Sequence, residues 1–400
     1  MPHRRASSSS RRASRGSHGW GVCGKNIARH LSRLEPLRLI GDPLDARAVP
    51  DPVERDELNG LLIPGGEAAL LEGGRAAAVD GPLLQGVGDQ RLMPRRPLLR
   101  GSSTVGYTFF ERNVLHPAWV ENGRRFFDRI VTGSTWCASV LAEHGLAGGI
   151  PVCQGIDPNI FFPSPAEDGR GPLLADRFVV FSGGKFEFRK GQDVVIRAYK
   201  VLQDRHVDVA LVNAWVNLWP PLMDTMRASR LIRYTSPGEA YVQGMNGILA
   251  DNGIDLERVI TCPRQPNAAM AGIYRNTDVG LFPNRCEGGT NLVLMEYMAC
   301  GKPVIAVDAT GHADIVNRSN ALVMATKGET TVRDEDQAPI ARWPEPDLDD
   351  AIDKLEWAYQ NRGKMRELGL QAGKDLAKFT WSRTAESLRD IIHQTTTRSP

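Results

Sequence analysis

The chain has 400 residues, of which 42% are hydrophobic and 24% are charged, a composition typical of a globular protein rather than a disordered or fibrous one. Forty-nine Lys and Arg residues nearly balance 47 Asp and Glu residues, so the net charge of +2 gives no overall field that would attract nucleic acid or anionic lipid. At roughly 100 to 200 residues per domain, this length predicts two domains.

The segment 1–16 is basic and rich in serine. It holds five arginines and no acid, so we expect a disordered basic tail. Organelle transit peptides have a similar composition, and a wrongly assigned start codon would also give such an end.

The first half of the chain predicts an α/β domain. The glycine-rich run from Gly19 to Gly24 predicts a loop, and an amphipathic helix is expected from Lys25 to Leu34. The strand candidates are LRLIGD, LLIPG, VGYTFF and RIVTGS, which Gly- and Pro-rich stretches separate. A linker is indicated near Pro163 to Gly171 by its proline, glycine and charge.

The second half alternates strands with helices more clearly. Its predicted strands are the β-branched runs FVVFSG, VDVALVNAW, RVITC, DVGLFP and PVIAVD. Helices are predicted from Gln192 to Leu202, from Asn291 to Cys300, after Pro344, and from Ser382 to about His393. This order predicts a parallel sheet flanked by helices.

Six scattered cysteines form no C-x-x-C pair and have no histidines at zinc-ligand spacing. The pattern predicts neither a metal site nor disulfides, and it favours a reduced, cytoplasmic compartment. No run reaches the roughly 18 apolar residues of a membrane span, although contact with a membrane surface is left open.

The first candidate site is the run from Gly183 to Gly191, which follows a strand and precedes a helix. Gly184 would let backbone N–H groups approach a phosphate, while Lys185 and Lys190 would supply positive charge to a diphosphate. The alternative is an exposed turn, where lysine and arginine are common.

The second candidate site lies before and within the helix predicted from Asn291. Residues 288–291 read Gly-Gly-Thr-Asn and would present backbone donors at the helix N-terminus. Glu296 lies among apolar residues, where a buried carboxylate needs hydrogen bonds that vicinal sugar hydroxyls could supply. In the alternative, Glu296 faces solvent and Glu287 only caps the helix.

Several sequence runs resemble a known enzyme family. GGKFEFRKGQD, PNRCEGGTNLVLMEYMACGKPVIA and the closing FTW resemble the C-terminal half of retaining glycosyltransferases of family 4, which have the GT-B fold. GSHGWGVCGKNIARHL, FDRIVTGSTWCASVL and VCQGIDPNIFFP are similar to their N-terminal half and its exit. The resemblance implies an α/β protein with two Rossmann-like domains that face each other across a cleft.

The resemblance also implies domain limits and ligands. We expect the tail at 1–16, an acceptor-side domain at 17–165, a nucleotide-sugar-binding domain at 172–380, and a C-terminal helix within 381–400 that packs back on the first domain. The expected partners are a nucleotide-sugar donor and an unidentified acceptor, with no nucleic acid, no cofactor and no metal.

The family motifs assign roles to individual residues. Lys185, Lys190 and Glu287 would be catalytic, with the two lysines on the leaving diphosphate and Glu287 beside the donor sugar. Glu296 would bind the ribose hydroxyls. The remaining donor-binding residues implied by the resemblance are Gly21, Gly184, Thr290, Asn291 and Leu292.

The sequence departs from the family pattern in three places. Eight residues instead of seven separate Glu287 from Glu296, and Lys185 stands where arginine is commoner, which keeps the charge but loses a bidentate fork. No core strand precedes the Gly19 loop, so either the first strand of the N-terminal domain is missing or another segment rebuilds the sheet edge, and impaired activity is expected.

The predicted function is transfer of a sugar from a nucleotide-diphosphate donor to an acceptor with retention of configuration. Other GT-B activities, such as epimerisation or phosphorolysis, are a second possibility among enzymes. A catalytically silent protein that binds sugar nucleotides or glycans is the alternative from another class. His116, Glu111, Trp215 and Trp219 are weaker site candidates, for which structural roles are favoured.

Overall fold

A computed structural model of the chain describes residues 19–46, 48–65, 74–88, 91–146, 149–164, 173–238 and 240–397. The predicted tail at 1–16, most of the linker predicted at 163–171, and any strand before Gly19 lie outside the described residues.

The first half forms a parallel sheet with helices. Its strands are β1 (Ala77–Ala78), β2 (Leu83–Gly86), β3 (Leu99–Arg100), β4 (Thr104–Thr108), β5 (Arg129–Thr132) and β6 (Ile150–Pro151). Its helices are α1 (Gly19–Leu31), α2 (Pro52–Gly60), α3 (Pro117–Phe126) and α4 (Thr135–Glu143). The sheet has the parallel order β2-β4-β5-β6, and β1 pairs with β3 separately.

Two of the four strand predictions in this half are confirmed and two are wrong. VGYTFF overlaps β4 in all but its first residue, and RIVTGS contains β5. LRLIGD and LLIPG form only one isolated bridge, between Leu39 and Leu62, because nearby prolines and glycines leave too few residues to extend a ladder. β2 was not predicted, since LLQG is short and lacks β-branched residues.

The predicted loop from Gly19 to Gly24 is wrong, because these residues form the start of α1. Val22, Cys23, Ile27 and Leu31 recur at helical spacing and are buried in one apolar cluster. Their burial outweighs the roughly 1 kcal/mol that each glycine costs inside a helix. Gly21 therefore lies on a helix rather than in a loop.

The second half forms a larger sheet. Its strands are β7 (Phe178–Gly183), β8 (Val209–Ala214), β9 (Val259–Thr261), β10 (Val279–Phe282), β11 (Val304–Val307), β12 (Leu322–Met324), β13 (Thr326–Arg333) and β14 (Pro339–Pro346). Its α-helices are α5 (Gln192–Arg205), α6 (Pro220–Met223), α7 (Tyr241–Asp251), α8 (Met270–Arg275), α9 (Leu292–Ala299), α10 (Leu348–Gln360), α11 (Arg362–Leu376) and α12 (Trp381–Thr396). Short 3₁₀ turns lie at Phe188–Lys190, Asp224–Ala228, Leu256–Arg258, Asn267–Ala269 and Thr310–Asp314.

The sheet is parallel with the order β12-β11-β10-β7-β8-β9, and the five predicted strands of this half are confirmed. All six residues of β7 are buried, because helices cover both faces of the sheet. The side chains of Phe178 and Val180 belong to one buried apolar cluster, and those of Val179 and Phe181 belong to a second.

An antiparallel hairpin of β13 and β14 follows the sheet and was not predicted. Its strands are mostly polar and partly exposed, so they lack the apolar runs that the prediction relied on. We call residues 326–346 the cleft hairpin.

The last helix packs on the first half of the chain. Trp381, Ala385, Leu388 and Ile391 of α12 share one apolar cluster with residues of α1, β4 and β5. Just before α12 the chain also contacts the first half directly, since Ile156 N donates a hydrogen bond to Phe379 O at 3.0 Å. Residues from the end of the chain therefore complete the core of its first half.

Candidate functional site

A cavity of about 1810 Å³ lies between the two halves of the chain. Its lining includes residues that follow the carboxyl ends of β4, β7, β8, β9 and β10. In parallel α/β sheets this edge is where ligands bind. The cavity is therefore the candidate site.

The loop after β7 turns sharply at two glycines. Gly184 has φ of 110° and Gly191 has φ of 72°, a region that side chains other than glycine rarely adopt. A Cβ atom at position 191 would also lie 1.9 Å from Pro283 O, so only glycine fits there. These turns bring Lys185, Arg189 and Lys190 to the cavity wall.

Arg189 is surrounded by carboxylates from both halves. Its guanidinium lies 2.7 Å from Glu187 Oε2, 3.3 Å from Glu287 Oε2 and 3.3 Å from Glu111 Oε1. Lys190 Nζ pairs with Glu287 Oε1. The cations of this loop are thus held in place before any ligand enters.

Glu287 lies at the centre of this cluster. Burial opposes its ionisation, yet the Lys190 and Arg189 cations beside it lower its pKa to about 2. Its backbone is fixed by Thr310 Oγ1, which accepts from Glu287 N at 3.0 Å, and by Gly311 N, which donates to Glu287 O at 2.9 Å. Glu287 is therefore a fixed anion that can accept hydrogen bonds but cannot act as an acid at neutral pH.

Asn291 adopts φ of 62° immediately before α9. Its Nδ2 lies 3.1 Å from His312 Nε2, and His312 Nδ1 lies 3.2 Å from Val307 O. Burial lowers the pKa of His312 to about 4, so the ring is neutral, donates from Nδ1 and accepts at Nε2. The backbone conformation of Asn291 and its contact with His312 direct the first turn of α9, with Leu292 and Val293, toward the cavity.

Glu296 is buried on α9 and lines the cavity. Its carboxylate accepts a hydrogen bond from Asn267 Nδ2 at 2.7 Å and another from Tyr274 OH at 3.0 Å. Burial raises the pKa of Glu296 to about 7, although both hydrogen bonds favour the ionised form. The alternative in which Glu296 faces solvent is wrong.

The first half of the chain packs directly against the glycines that follow Glu287. Ser134 Oγ donates to Gly288 O at 2.6 Å, and a Cβ atom at position 288 would lie 2.3 Å from Phe110 O. Position 288 therefore needs glycine because the backbone of the first half approaches it closely.

The cleft hairpin also joins the two halves. Trp343 Nε1 donates to Glu111 O at 2.7 Å. Asn113 Nδ2 donates to Arg342 O at 2.9 Å and its Oδ1 accepts from Arg342 N at 2.8 Å. The hairpin thereby fixes the loop that carries Glu111.

Arg285 connects the cleft hairpin to the loop after β7. Its guanidinium binds both carboxylate oxygens of Asp193, at 2.8 and 2.9 Å, and both oxygens of Glu345, at 2.8 and 2.6 Å. Arg285 Nη1 also donates to Phe188 O at 2.7 Å. A single buried side chain thus braces the 3₁₀ turn that carries Arg189 and Lys190.

Most of the predicted site residues line this one cavity. They are Gly184, Lys185, Lys190, Glu287, Asn291, Leu292 and Glu296. Gly21 and Thr290 are not among the lining residues: Gly21 lies within α1, and the buried Thr290 hydroxyl donates to Met295 Sδ at 2.8 Å.

The weaker candidates fall into two groups. His116 accepts from Ala118 N at 3.1 Å as the cap of α3, and Trp215 is fully buried in the core, so both have structural roles. Glu111 and Trp219 do line the cavity, and the Trp219 ring lies 4.7 Å from Lys185 Nζ.

Several lining residues were missed in the sequence. Arg189 stands between the two predicted lysines and could have been found from that position alone. Asn267, Tyr274 and Glu345 carry no motif, because only the fold brings them to Glu296 and Arg285.

Within the described ranges, no helix combines the length and apolar character needed to cross a bilayer. Within the same ranges, no group of three or more His, Cys, Asp or Glu side chains is arranged to hold a metal ion.

Comparison with known proteins adds a family match. Residues 229–335 match the model of the family described as glycosyl transferases group 1. The D-inositol 3-phosphate glycosyltransferase of Nocardia farcinica is 28% identical over 208 residues, which are 51% of this chain and 38% of that protein. The enzyme of the same name from Stackebrandtia nassauensis is 27% identical over 266 residues, 65% of this chain and 53% of the relative. The chain thus matches about half the length of these relatives or less.

Solved structures support the fold. HepE of Anabaena, in complex with UDP-glucose, aligns with a TM-score of 0.62 at 14% identity and covers 95% of this chain and 97% of its own. Sucrose-phosphate synthase of Thermosynechococcus elongatus aligns with a TM-score of 0.56 at 17% identity over 74% of this chain and 68% of its own. The chain thus has the GT-B fold, and its residues 229–335 match the family of glycosyl transferases group 1.

Proposed function

We propose that the chain is a glycosyltransferase that moves a sugar from a nucleotide-diphosphate donor to an acceptor. The observation that carries this proposal is the convergence of Lys185, Arg189, Lys190 and Glu296 on one cavity between the two halves. Three cations suit a diphosphate, and a buried carboxylate suits a pair of ribose hydroxyls.

The arrangement supports a specific route to catalysis. Negative charge grows on the diphosphate as its bond to the sugar breaks, so cations fixed in advance stabilise the transition state more than the ground state. Lys185, Arg189 and Lys190 would supply this charge, and the free amides at the N-terminus of α9 would add to it. Glu287 would accept a hydrogen bond from a sugar hydroxyl.

We propose further that the reaction needs no metal ion and retains the anomeric configuration. The three cations offer the charge compensation that a metal would otherwise give the leaving diphosphate. Retention rests on the resemblance to family 4. Turnover that stops with EDTA and returns with Mg²⁺ would contradict the first point, and an inverted product anomer in an NMR spectrum would contradict the second.

A thermal-shift panel tests donor binding. UDP-, GDP- and ADP-glucose would each be added to the full chain. We expect the donor that carries one of these bases to stabilise the chain selectively. A ligand at 100 times its dissociation constant adds about 2.7 kcal/mol of stability. UDP-glucose is the first donor to test, since HepE was solved with UDP-glucose. Flat melting curves across the panel would exclude the donor site.

The main alternative is a protein that binds a sugar nucleotide without turning it over. The family match and the cluster around Arg189 support both readings. Release of free nucleoside diphosphate in the presence of an acceptor separates them, because only a catalyst releases it. Epimerisation or phosphorolysis would instead leave a changed donor sugar or a sugar phosphate.

A further inference from the structure

Two of the proposed diphosphate cations, Arg189 and Lys190, lie on the short 3₁₀ turn Phe188–Lys190. The turn is closed by hydrogen bonds from Lys190 N to Glu187 O at 2.9 Å and from Gly191 N to Phe188 O at 3.2 Å. Hydrogen bonds in a 3₁₀ helix have poorer geometry than those in an α-helix. The position of these cations therefore depends on what packs against the turn.

Arg285 contacts this turn through both its backbone and its side chain. Its backbone N–H donates to Arg189 O at 2.8 Å, and its Nη1 donates to Phe188 O at 2.7 Å. The guanidinium carbon lies 3.9 Å from the centroid of the Phe188 ring. Because the Phe188 carbonyl belongs to the peptide bond with Arg189, rotation of the guanidinium would move the backbone of Arg189.

All five N–H donors of the Arg285 guanidinium have acceptors. Asp193 accepts two hydrogen bonds, Glu345 accepts two, and Phe188 O accepts the fifth. The guanidinium is planar and its donors have fixed directions, so one orientation satisfies all five. Asp193 is buried on α5, whereas Glu345 belongs to the cleft hairpin. Without Glu345, the guanidinium could rotate about its contact with Asp193.

The Glu345 carboxylate is itself oriented by the cleft hairpin. Thr330 Oγ1 donates a hydrogen bond to Glu345 Oε2, and Thr330 is paired with Trp343 across the two strands. Trp343 Nε1 in turn donates to Glu111 O in the first half of the chain. Glu345 is therefore fixed by a hairpin that is also attached to the first half.

We propose that Glu345 is a positioning residue for the diphosphate. By fixing the Arg285 guanidinium, it sets the position of the turn that carries Arg189 and Lys190. This inference rests on the proposed glycosyltransferase function, since it concerns the same diphosphate site.

The variant Glu345→Gln separates positioning from simple electrostatics by the sign of its effect. Glu345 lines the cavity, so removing its negative charge would by itself strengthen the binding of an anion. The amide nitrogen of glutamine cannot accept a hydrogen bond, so one donor of Arg285 would lose its acceptor. Positioning therefore predicts weaker binding, the opposite of the effect of charge.

Calorimetric titration of the full chain with pyrophosphate, UDP, GDP and ADP tests the proposal. We expect Glu345→Gln to bind pyrophosphate at least tenfold more weakly than the parent chain. The nucleotide that the parent chain prefers should show a loss of the same size. Unchanged or tighter binding by the variant would overturn the proposal.

Two controls accompany these titrations. Glu335→Gln removes the same charge from an exposed position of the cleft hairpin that does not line the cavity, and it should bind pyrophosphate within twofold of the parent chain. Uridine, guanosine and adenosine lack the diphosphate, so the affinity of Glu345→Gln for the preferred nucleoside should also stay within twofold. Equal weakening of nucleoside and nucleotide would indicate a general disturbance of the site and overturn the positioning role.

A double-mutant cycle tests whether Glu345 acts through Arg285. Arg285→Lys keeps a positive charge beside Asp193 but lacks the fork that joins Asp193 to Glu345. Alone, it should weaken pyrophosphate binding as Glu345→Gln does. In the Arg285→Lys background, Glu345→Gln should cause no further loss. A second tenfold loss, or full binding by Arg285→Lys alone, would overturn the route through Arg285.

The same titrations separate this inference from the proposed function. A parent chain that binds pyrophosphate but no nucleotide, with weaker binding in Glu345→Gln, would contradict the donor site and leave the positioning role standing. A nucleotide that binds equally well to the parent chain and to the variant would do the reverse. A parent chain that binds neither pyrophosphate nor a nucleotide would overturn both.

Discussion

Tyr274 OH donates a hydrogen bond to the Glu296 carboxylate at 3.0 Å, and both side chains are buried. The amide of Asn267 donates to the other carboxylate oxygen at 2.7 Å. The carboxylate is therefore oriented before ligand binding. Its pKa of about 7 means that its charge changes within the neutral range.

The first prediction concerns the pH dependence of donor binding. Only the ionised Glu296 carboxylate can accept hydrogen bonds from both ribose hydroxyls, so we expect the affinity for UDP-glucose to rise between pH 6 and pH 8. Calorimetry at three pH values measures this. In Glu296→Gln the rise should be absent, and a parallel rise in that variant would contradict the assignment.

The second prediction concerns the stability of the folded chain. The folded pKa of Glu296, about 7, lies above its ordinary value of 4.5. The stability that the protonated side chain contributes is therefore complete below pH 4.5 and is lost as pH rises through 7. We expect the difference in free energy of unfolding between Glu296→Gln and the parent chain to shift by about 3 kcal/mol from pH 4.5 to pH 8, in favour of the variant at high pH. Urea titrations measure it, and a pH-independent difference would contradict it.

The third prediction concerns Lys190. In Lys190→Ala, Glu287 keeps its contacts with Arg189 and Asn284, so the fold should persist, but one cation of the proposed diphosphate site is lost. We expect donor turnover to fall at least tenfold, about 1.4 kcal/mol in the barrier. Lys200→Ala, on α5 and paired with Asp204 outside the cavity, is the control. Equal loss in both variants would remove Lys190 from this role.

The fourth prediction concerns Arg285. Arg285→Met leaves the fully buried Asp193 carboxylate without its bidentate partner, and breaking a buried ion pair costs about 3 to 5 kcal/mol. Chemical unfolding should show a loss of this size. The double variant Arg285→Met/Asp193→Asn should recover part of it, because no unpaired charge remains. No recovery would mean that the lost contacts to Glu345 and Phe188 O dominate.

Buried parallel strands and capped helices are the elements that the sequence predicts best. β7 and α9 were predicted almost to the residue, because buried parallel strands read as continuous apolar runs and Gly301, with φ of 71°, ends the helix as a left-handed cap. The start of α1 was predicted as a loop because the sequence shows the glycines that disfavour a helix. It does not show that α1 packs against α12.

In the candidate site, too, local features could be predicted from the sequence and contacts between distant residues could not. Lys185 and Lys190 could be predicted because they follow a strand and a glycine turn, a local arrangement that the sequence shows directly. The environment of Glu296 could not, since Asn267 and Tyr274 lie 29 and 22 residues away in the sequence and reach the carboxylate only in the folded chain. The cleft hairpin was missed because its polar strands are stabilised by partners from elsewhere, such as Asn113 and Arg285.

The docking of α12 on α1 has a consequence for biosynthesis. Trp381, Leu388 and Ile391 emerge from the ribosome long after Val22 and Ile27, although all five belong to one apolar cluster. During translation the amino-terminal half therefore carries an uncovered apolar surface until residues 381–391 have been made, and this state is open to aggregation. A nascent chain stalled before residue 381 should therefore depend on chaperones, and the released protein should not.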